Sequence, residues 1–145
     1  MHTLFEAEVT ISLGAGSDFR HDREPRLVGT LHAEFEGWLG DDIVETSGFW
    51  LVTEALAAAL QSSALTGFEL ADVVVTTGPT WDEFDYPPLP VWRRLVPTGS
   101  LTAGDDIAAV RRSTTLALSE QALRLLESFQ IENASLRPIT DPQSL

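Results

Sequence analysis

The amino-acid sequence predicts an α+β fold in which two principal helices pack on a mainly antiparallel or mixed sheet in two layers. Three observations predict it. Apolar and polar residues alternate in two N-terminal stretches, two segments rich in Ala and Leu each follow a Thr or Ser, and apolar runs separate these segments. Alternation is typical of half-buried strands, and a capped apolar stripe is typical of a helix. A chain of 145 residues has an ordinary length for one domain, so we expect 1–145 to form a single domain.

The two alternating stretches predict an N-terminal strand pair within residues 1–37. Every second residue is apolar from Phe5 to Leu13, and the pattern returns between Leu27 and Phe35. A side-chain period of two places the apolar residues on one face of a strand. A charged segment with Pro25 separates the stretches, so we expect them to pair antiparallel across a long loop.

Capping residues predict two helices. Thr53 precedes a segment from Glu54 to about Ala64, and Ser119 precedes a segment from Glu120 to about Gln130. Thr and Ser are good N-caps, and an acidic residue in the first turn is favourable for the helix dipole. The remaining apolar runs predict strands at 49–52, 68–76, 91–96, 114–118 and 134–139.

A short motif repeats and suggests an internal duplication. Gly40-Asp41-Asp42-Ile43 recurs 64 positions later as Gly104-Asp105-Asp106-Ile107, and the two capping residues lie 66 positions apart. Residues 40–76 and 104–139 are therefore interpreted as two similar strand–helix–strand units joined by the loop 77–90. The alternative is that any such unit carries a capping hydroxyl and core leucines at similar spacing.

The charge of the chain bears on its partners. Nine basic residues, all Arg, face 22 acidic ones, which gives a formal net charge of −13. Such a chain repels phosphate, so we expect no direct nucleic-acid binding and favour a basic protein partner or the chain itself. The N-terminus lacks a signal-peptide pattern and no apolar run is long enough for a membrane span. We therefore expect a cytoplasmic protein without membrane contact.

The paired aspartates are the strongest chemical candidates in the sequence. Asp41, Asp42, Asp105 and Asp106 could bind a cation or act in acid–base chemistry if the two pairs converge. Gly-Asp-Asp is also common in turns, and we favour that interpretation. The chain has no cysteine, no serine-hydrolase motif and no complete nucleotide fingerprint. We therefore predict no cofactor and no catalytic residues, and leave a small carboxylate-dependent enzyme as an alternative.

One loop combines aromatic and acidic residues. The run Trp81-Asp82-Glu83-Phe84-Asp85-Tyr86 lies in a segment with four prolines between 77 and 90. Aromatic side chains dominate binding hot spots, and acidic side chains steer basic partners. We predict that these six residues bind a protein partner. The alternative is that Trp81 and Phe84 only anchor the loop to the core.

The C-terminal half resembles small uncharacterised bacterial proteins, some of them grouped with immunity proteins of polymorphic toxin systems. The resemblance covers residues 66–139 and is carried by short motifs: Thr66-Gly67-Phe68-Glu69-Leu70, Leu89 to Leu95, Pro97-Thr98-Gly99, Gly104 to Ile107 and Leu118 to Leu123. It implies a non-enzymatic binder that neutralises a toxin by occluding it, and an acidic surface suits a basic toxin. One such group carries paired Cys-x-x-Cys motifs, which this chain lacks, so a metal is not implied.

Overall fold

The apolar segments form short strands around two helices. The computed structural model describes residues 2–8, 11–14, 18–19, 27–28, 30–86, 88–110 and 114–138. The helices are α1 (Glu54–Ser62) and α2 (Glu120–Glu127). The strands are β1 (Thr3–Glu6), β2 (Ile11–Leu13), β3 (Asp18–Phe19), β4 (Leu27–Val28), β5 (Leu31–Phe35), β6 (Ile43–Thr46), β7 (Phe49–Thr53), β8 (Phe68–Ala71), β9 (Val73–Thr77), β10 (Trp92–Pro97), β11 (Ile107–Ala109), β12 (Leu116–Leu118) and β13 (Ser135–Pro138). The predicted α+β fold with two principal helices is confirmed.

The strands form separate sheets. The first sheet has the order β11-β12-β1-β13, the second has β6-β7-β10-β8, and the third has β2-β5-β9, while β3 pairs with β4. Pairing is antiparallel except between β5 and β9, which run parallel. The predicted antiparallel N-terminal pair exists as β2 and β5. The prediction of one continuous strand for each alternating stretch was wrong. Phe5 to Leu13 contains β1 of the first sheet and β2 of the third, and Leu27 to Phe35 contains β4, which pairs with β3, and β5 of the third sheet.

The first and second sheets repeat each other in strand order and register. In the second sheet, Leu95 of β10 lies opposite Trp50 and Leu70. In the first sheet, Phe5 of β1 lies opposite Leu116 and Leu136, which are each 66 positions beyond those partners. The two sheets therefore have equivalent pairings at an offset of 66 positions, and the internal duplication itself stays a prediction.

The first strand of each half is exchanged into the sheet of the other half. β1 lies between β12 and β13, and β10 lies between β7 and β8. Parallel bridges between Glu8 and Val44 and between Gly99 and Ala108 link the two sheets at both ends. The halves are thus interlocked, and neither completes its sheet alone.

The main core lies where the two repeated sheets face each other and the helices. It contains inward-facing residues from both sheets and the apolar stripes of both helices, among them Phe5, Trp50, Leu60, Leu118 and Leu126. The opposite face of the second sheet packs on the third sheet through Phe35, Leu51 and Trp92. Both faces of β7 are therefore buried.

Several boundaries differ from the sequence-based expectation. The strand expected over 68–76 is two strands, because the chain passes from the second sheet to the third at Asp72, whose side chain is exposed. The helices end two to three residues earlier than expected, at Ser62 and Glu127. The strands β6 and β11, which start directly after each Gly-Asp-Asp, were not predicted.

Candidate functional site

Backbone hydrogen bonds fix the start of the aromatic–acidic loop. Gly78 N donates to Phe35 O at 2.8 Å, and Trp81 N donates to Gly78 O at 3.1 Å. The hydroxyl of Thr80 donates to the carbonyl of Glu36 at 3.1 Å. A 3-10 turn, Trp81–Glu83, follows. The loop therefore leaves the end of β5 and β9 in a defined direction.

The three aromatic residues of the loop pack on one another. The ring centroids of Trp81 and Tyr86 are 4.8 Å apart, and those of Phe84 and Tyr86 are 5.7 Å apart. Such distances are typical of favourable ring pairs. A methyl carbon at Gly37 would lie 2.6 Å from the Tyr86 hydroxyl oxygen, so the ring stacks closely over this glycine. The rings thus hold the loop against the segment after β5.

The sequence analysis left open that Trp81 and Phe84 only anchor the loop to the core. The structure places one of these two residues, Trp81, against the core. Trp81 is half-buried and packs against the core between the second and third sheets. Phe84 is 62% exposed, although its ring contacts Tyr86. Trp81 therefore anchors the loop, while Phe84 presents an apolar ring to solvent.

A pair of tryptophans lies in the same core cluster as Trp81. Trp38 and Trp92 meet edge to face with centroids 5.7 Å apart, and their chain neighbours Leu39 and Val91 are 57% and 63% exposed. We define the aromatic surface as Trp38, Trp81, Phe84 and Tyr86, since Trp38 and Trp81 pack on the same core cluster. The sequence analysis did not identify Trp38, because only the tertiary structure brings it to this cluster and to Trp92.

Carboxylates surround the aromatic surface. Asp82, Glu83 and Asp85 are exposed, and Glu36 lies next to Gly37. Within the described residues the ion pairs are those of Arg93 with Asp72 and of Arg124 with Glu120, so neither involves these four carboxylates. Such a rim carries negative charge that a partner's cations could neutralise.

The second aspartate of each pair holds the two halves together. Asp42 accepts hydrogen bonds from the Thr53 hydroxyl at 2.8 Å and from Gln130 N at 2.8 Å. Asp106 accepts from the Ser119 hydroxyl at 2.6 Å and from Thr66 N at 2.9 Å. Each carboxylate thus orients the cap of one helix and binds the segment after the other helix. Hydrogen bonding to Ser119 lowers the pKa of Asp106 below its ordinary value, so the group stays ionised.

The first aspartate of each pair fixes a loop. Asp41 is fully buried and accepts hydrogen bonds from Asn133 N at 2.9 Å and Asn133 Nδ2 at 3.0 Å. Asp105 accepts from Ser100 N at 2.8 Å. Burial raises the pKa of Asp41 above its ordinary value despite these hydrogen bonds. All four carboxylates therefore have structural partners within the chain.

The described residues contain no group of three or more His, Asp or Glu side chains placed to hold a metal ion. A pocket of about 400 Å³ lies where Ser63, Ala64 and Leu65 after α1 meet Gln121, Leu125 and Asp106. Its ionisable residue, Asp106, is engaged by Ser119 and Thr66. Among the described residues that line the pocket, Asp106 is the only titratable one.

Neither helix in the described part of the chain has the length and apolar character that crossing a membrane requires. No protein family, no curated protein sequence and no solved structure matches the chain. The resemblance of residues 66–139 to bacterial immunity-like proteins stays a prediction.

Proposed function

We propose that the chain is a non-enzymatic protein-binding module that uses the aromatic surface and its acidic rim to bind a basic protein. The observation that carries the proposal is the exposure of Phe84 in a loop whose three rings pack on one another and on the core through Trp81. Exposed apolar side chains rimmed by polar groups are typical of protein–protein interfaces. Rigid rings also lose little conformational entropy when a partner binds.

The charge of the rim supports a basic partner. Asp82, Glu83 and Asp85 have no ion pair within the described residues, and the whole chain carries a formal charge of −13. A cationic partner would be steered towards the loop at low ionic strength. Negatively charged polymers such as nucleic acids would be repelled.

Within this class, we propose that the chain acts like an immunity protein and occludes a basic toxin. The resemblance of residues 66–139 to bacterial immunity-like proteins supports the narrower assignment. Occlusion needs only surface complementarity, which agrees with four aspartates that are all engaged in structural hydrogen bonds.

The test compares variants of the aromatic surface against a partner isolated at low salt from cells that express the chain. Phe84→Ala removes an exposed ring that makes little contact with the core, so it should weaken binding roughly tenfold or more while the fold is kept. Neutralisation of Asp82, Glu83 and Asp85 with Asn or Gln should raise Kd and reduce its salt dependence. Isothermal titration calorimetry at several salt concentrations measures both effects.

The matched control neutralises three exposed carboxylates outside the surface, Glu69, Glu127 and Glu132. This variant has the same change in net charge, so it should affect Kd much less than neutralisation of the rim. Equal affinities for the wild-type chain, Phe84→Ala and the neutralised rim would refute the proposed surface. A partner whose Kd is insensitive to salt would refute the role of charge.

A further inference from the structure

We infer that the edge of β9 opposite β5, which no described strand occupies, accepts an extended strand of the same basic partner, so that the partner adds a fourth strand to the third sheet. The inference rests on the proposed function. It names a mode of recognition in which backbone hydrogen bonds give affinity and flanking side chains give specificity.

The edge of β9 is open in the part of the chain that the structure describes. Within the third sheet, β9 pairs with β5 on one side, and no described strand pairs with its other side. Its sequence, Val73-Val74-Val75-Thr76-Thr77, consists entirely of β-branched residues. Val74 is 52% exposed. β-Branched residues favour extended backbone, so the edge is already in the conformation that a new strand needs.

This edge lacks the features that usually prevent strand addition. Proteins protect edge strands with charged residues, proline, bulges or very short length. The other edges carry such features. β13 contains Arg137 and Pro138, β8 contains Glu69, and β6 contains Glu45. β2 and β11 have three residues each, and β3 and β4 have two. β9 has five residues without charge, proline or glycine. It is therefore the edge best suited to pairing.

The charges around β9 select the kind of strand that can pair with it. The Asp72 side chain, 92% exposed, precedes the strand, and the side chains of Glu34 and Glu36 approach Gly78 directly after it. Arg93 lies 3.9 Å from Asp72, which is a long and exposed ion pair of little strength. A second copy of the chain would bring like charges together at both ends. A strand with Arg or Lys residues would neutralise them, so we assign the edge to a basic partner.

The edge and the aromatic surface form one continuous stretch of chain. β9 ends at Thr77, Gly78 turns the backbone, and Trp81 begins the 3-10 turn that carries the acidic rim. A partner strand that extends past Thr77 would therefore leave the edge near Gly78, where the loop begins. Backbone pairing and side-chain contacts would then act in the same interface.

The experiment uses the full chain and a synthetic peptide of about ten residues that alternates arginine and valine, a pattern suited to a strand with one charged face. Hydrogen exchange is followed at the amides of 81–86 and at those amides of 73–77 that point away from β5, because the others face the existing pairing with β5. The expected result is slower exchange in both segments, roughly tenfold or more at saturation. A peptide of the same sequence with every backbone amide N-methylated keeps the charge but has no N–H donor on either edge, so it should leave 73–77 unprotected.

The outcomes distinguish strand addition at β9 from binding at the aromatic surface. Protection of 81–86 alone, by both peptides, would overturn strand addition and leave the proposed binding surface intact. Protection of neither segment, with no binding, would contradict both. Protection of the amides of 73–77 that point away from β5 without peptide, together with twice the mass of 15.8 kDa in light scattering, would assign the edge to a second copy instead. Val74→Lys should weaken peptide binding more than Ala58→Lys, which places the same charge on exposed helix surface.

Discussion

The hydroxyl of Ser119 donates a hydrogen bond of 2.6 Å to the carboxylate of Asp106. The same hydroxyl accepts from Ala122 N at 3.1 Å, so the carboxylate orients the cap of α2. Asp42 and Thr53 repeat this relationship at the start of α1. The Gly-Asp-Asp motifs are thus structural elements that join each helix start to the strand before it and to the other half of the chain.

Asp106→Asn should destabilise the fold by about 1.5–3 kcal/mol at pH 7, the usual range for hydrogen bonds to a charged group. The amide retains one acceptor, but its nitrogen cannot accept from Ser119 or from Thr66 N. Urea unfolding measures the loss. Asp82→Asn, a substitution in the exposed loop, is the control and should be nearly neutral for stability.

The same substitution predicts a pH dependence. The folded-state pKa of Asp106 lies below its ordinary value of 3.8, so the ionised group stabilises the fold above that pH. This contribution is lost as the pH falls through the folded-state pKa. The difference in the free energy of unfolding between the wild-type chain and Asp106→Asn should therefore be constant between pH 7 and 5. It should shrink below pH 3.8. A difference in unfolding free energy that persists unchanged in acid would contradict the stabilising role of the ionised Asp106 carboxylate.

Glu45→Gln should have the opposite dependence. Burial raises the pKa of Glu45 above its ordinary value of 4.5, so the folded state holds the proton more tightly than the unfolded state does. The wild-type chain then loses stability as the pH rises through the folded-state pKa. In the wild-type chain Gly48 N donates to the Glu45 carboxylate at 2.8 Å. Glutamine keeps an oxygen acceptor for this N–H group but carries no charge.

The glutamine variant should consequently exceed the wild-type chain in stability at pH 8 by an amount on the order of 1 kcal/mol. Near pH 4 the two should converge, because both side chains are then neutral in the folded state. Thermal unfolding at the two pH values measures the difference. Lower stability of the variant at pH 8 would show that the ionised carboxylate is stabilising there.

Two glycines with positive φ provide a matched pair. Gly67 has φ +96°, and a methyl carbon there would lie 2.1 Å from the carbonyl oxygen of Ile107. Gly104 has φ +78° and open space around it. Gly104→Ala should lower the free energy of unfolding by about 1–2 kcal/mol, because alanine is strained in left-handed backbone. Gly67→Ala should lower it by ~1–3 kcal/mol more, because the methyl group also clashes with the Ile107 carbonyl. Chemical denaturation compares them, and equal losses would contradict the close packing at Gly67.

The exchange of first strands predicts that the two halves fold only together. A cut between Phe84 and Asp85 gives fragments 1–84 and 85–145, and each lacks the central strand of one sheet. We expect neither fragment to unfold cooperatively alone, and the mixture to form a one-to-one complex with native near-ultraviolet dichroism. Light scattering gives the stoichiometry. A fragment that folds as a monomer would argue against the interlocked arrangement.

Local patterns in the sequence were sufficient for the helices and most of the strands. Thr53 and Ser119 cap helices because their hydroxyls satisfy the free N–H groups of the first turn, which is a purely local requirement. The strands β6 and β11 were missed because each is short and follows a turn motif without a long alternating pattern. The break at Asp72 was missed because both flanking segments favour extended backbone.

The candidate site was predicted only in part for the same reason. Residues 81–86 stood out by composition, whereas Trp38 joins the surface because it packs on the same core cluster as Trp81 and contacts Trp92. That contact joins segments more than 50 positions apart in the sequence. No periodicity within either segment encodes such a pairing.

By itself, the sequence determined the α+β class, the capped helices, the repeated Gly-Asp-Asp motif and the acidic character, because these depend on residue type and on spacing over a few turns. Only the tertiary structure decided that β1 and β10 exchange between halves, that the aspartates join those halves, and that the aromatic surface extends beyond the loop. The physical reason is that strand partners and buried hydrogen bonds are selected by the packing of the whole chain, which local preferences do not specify.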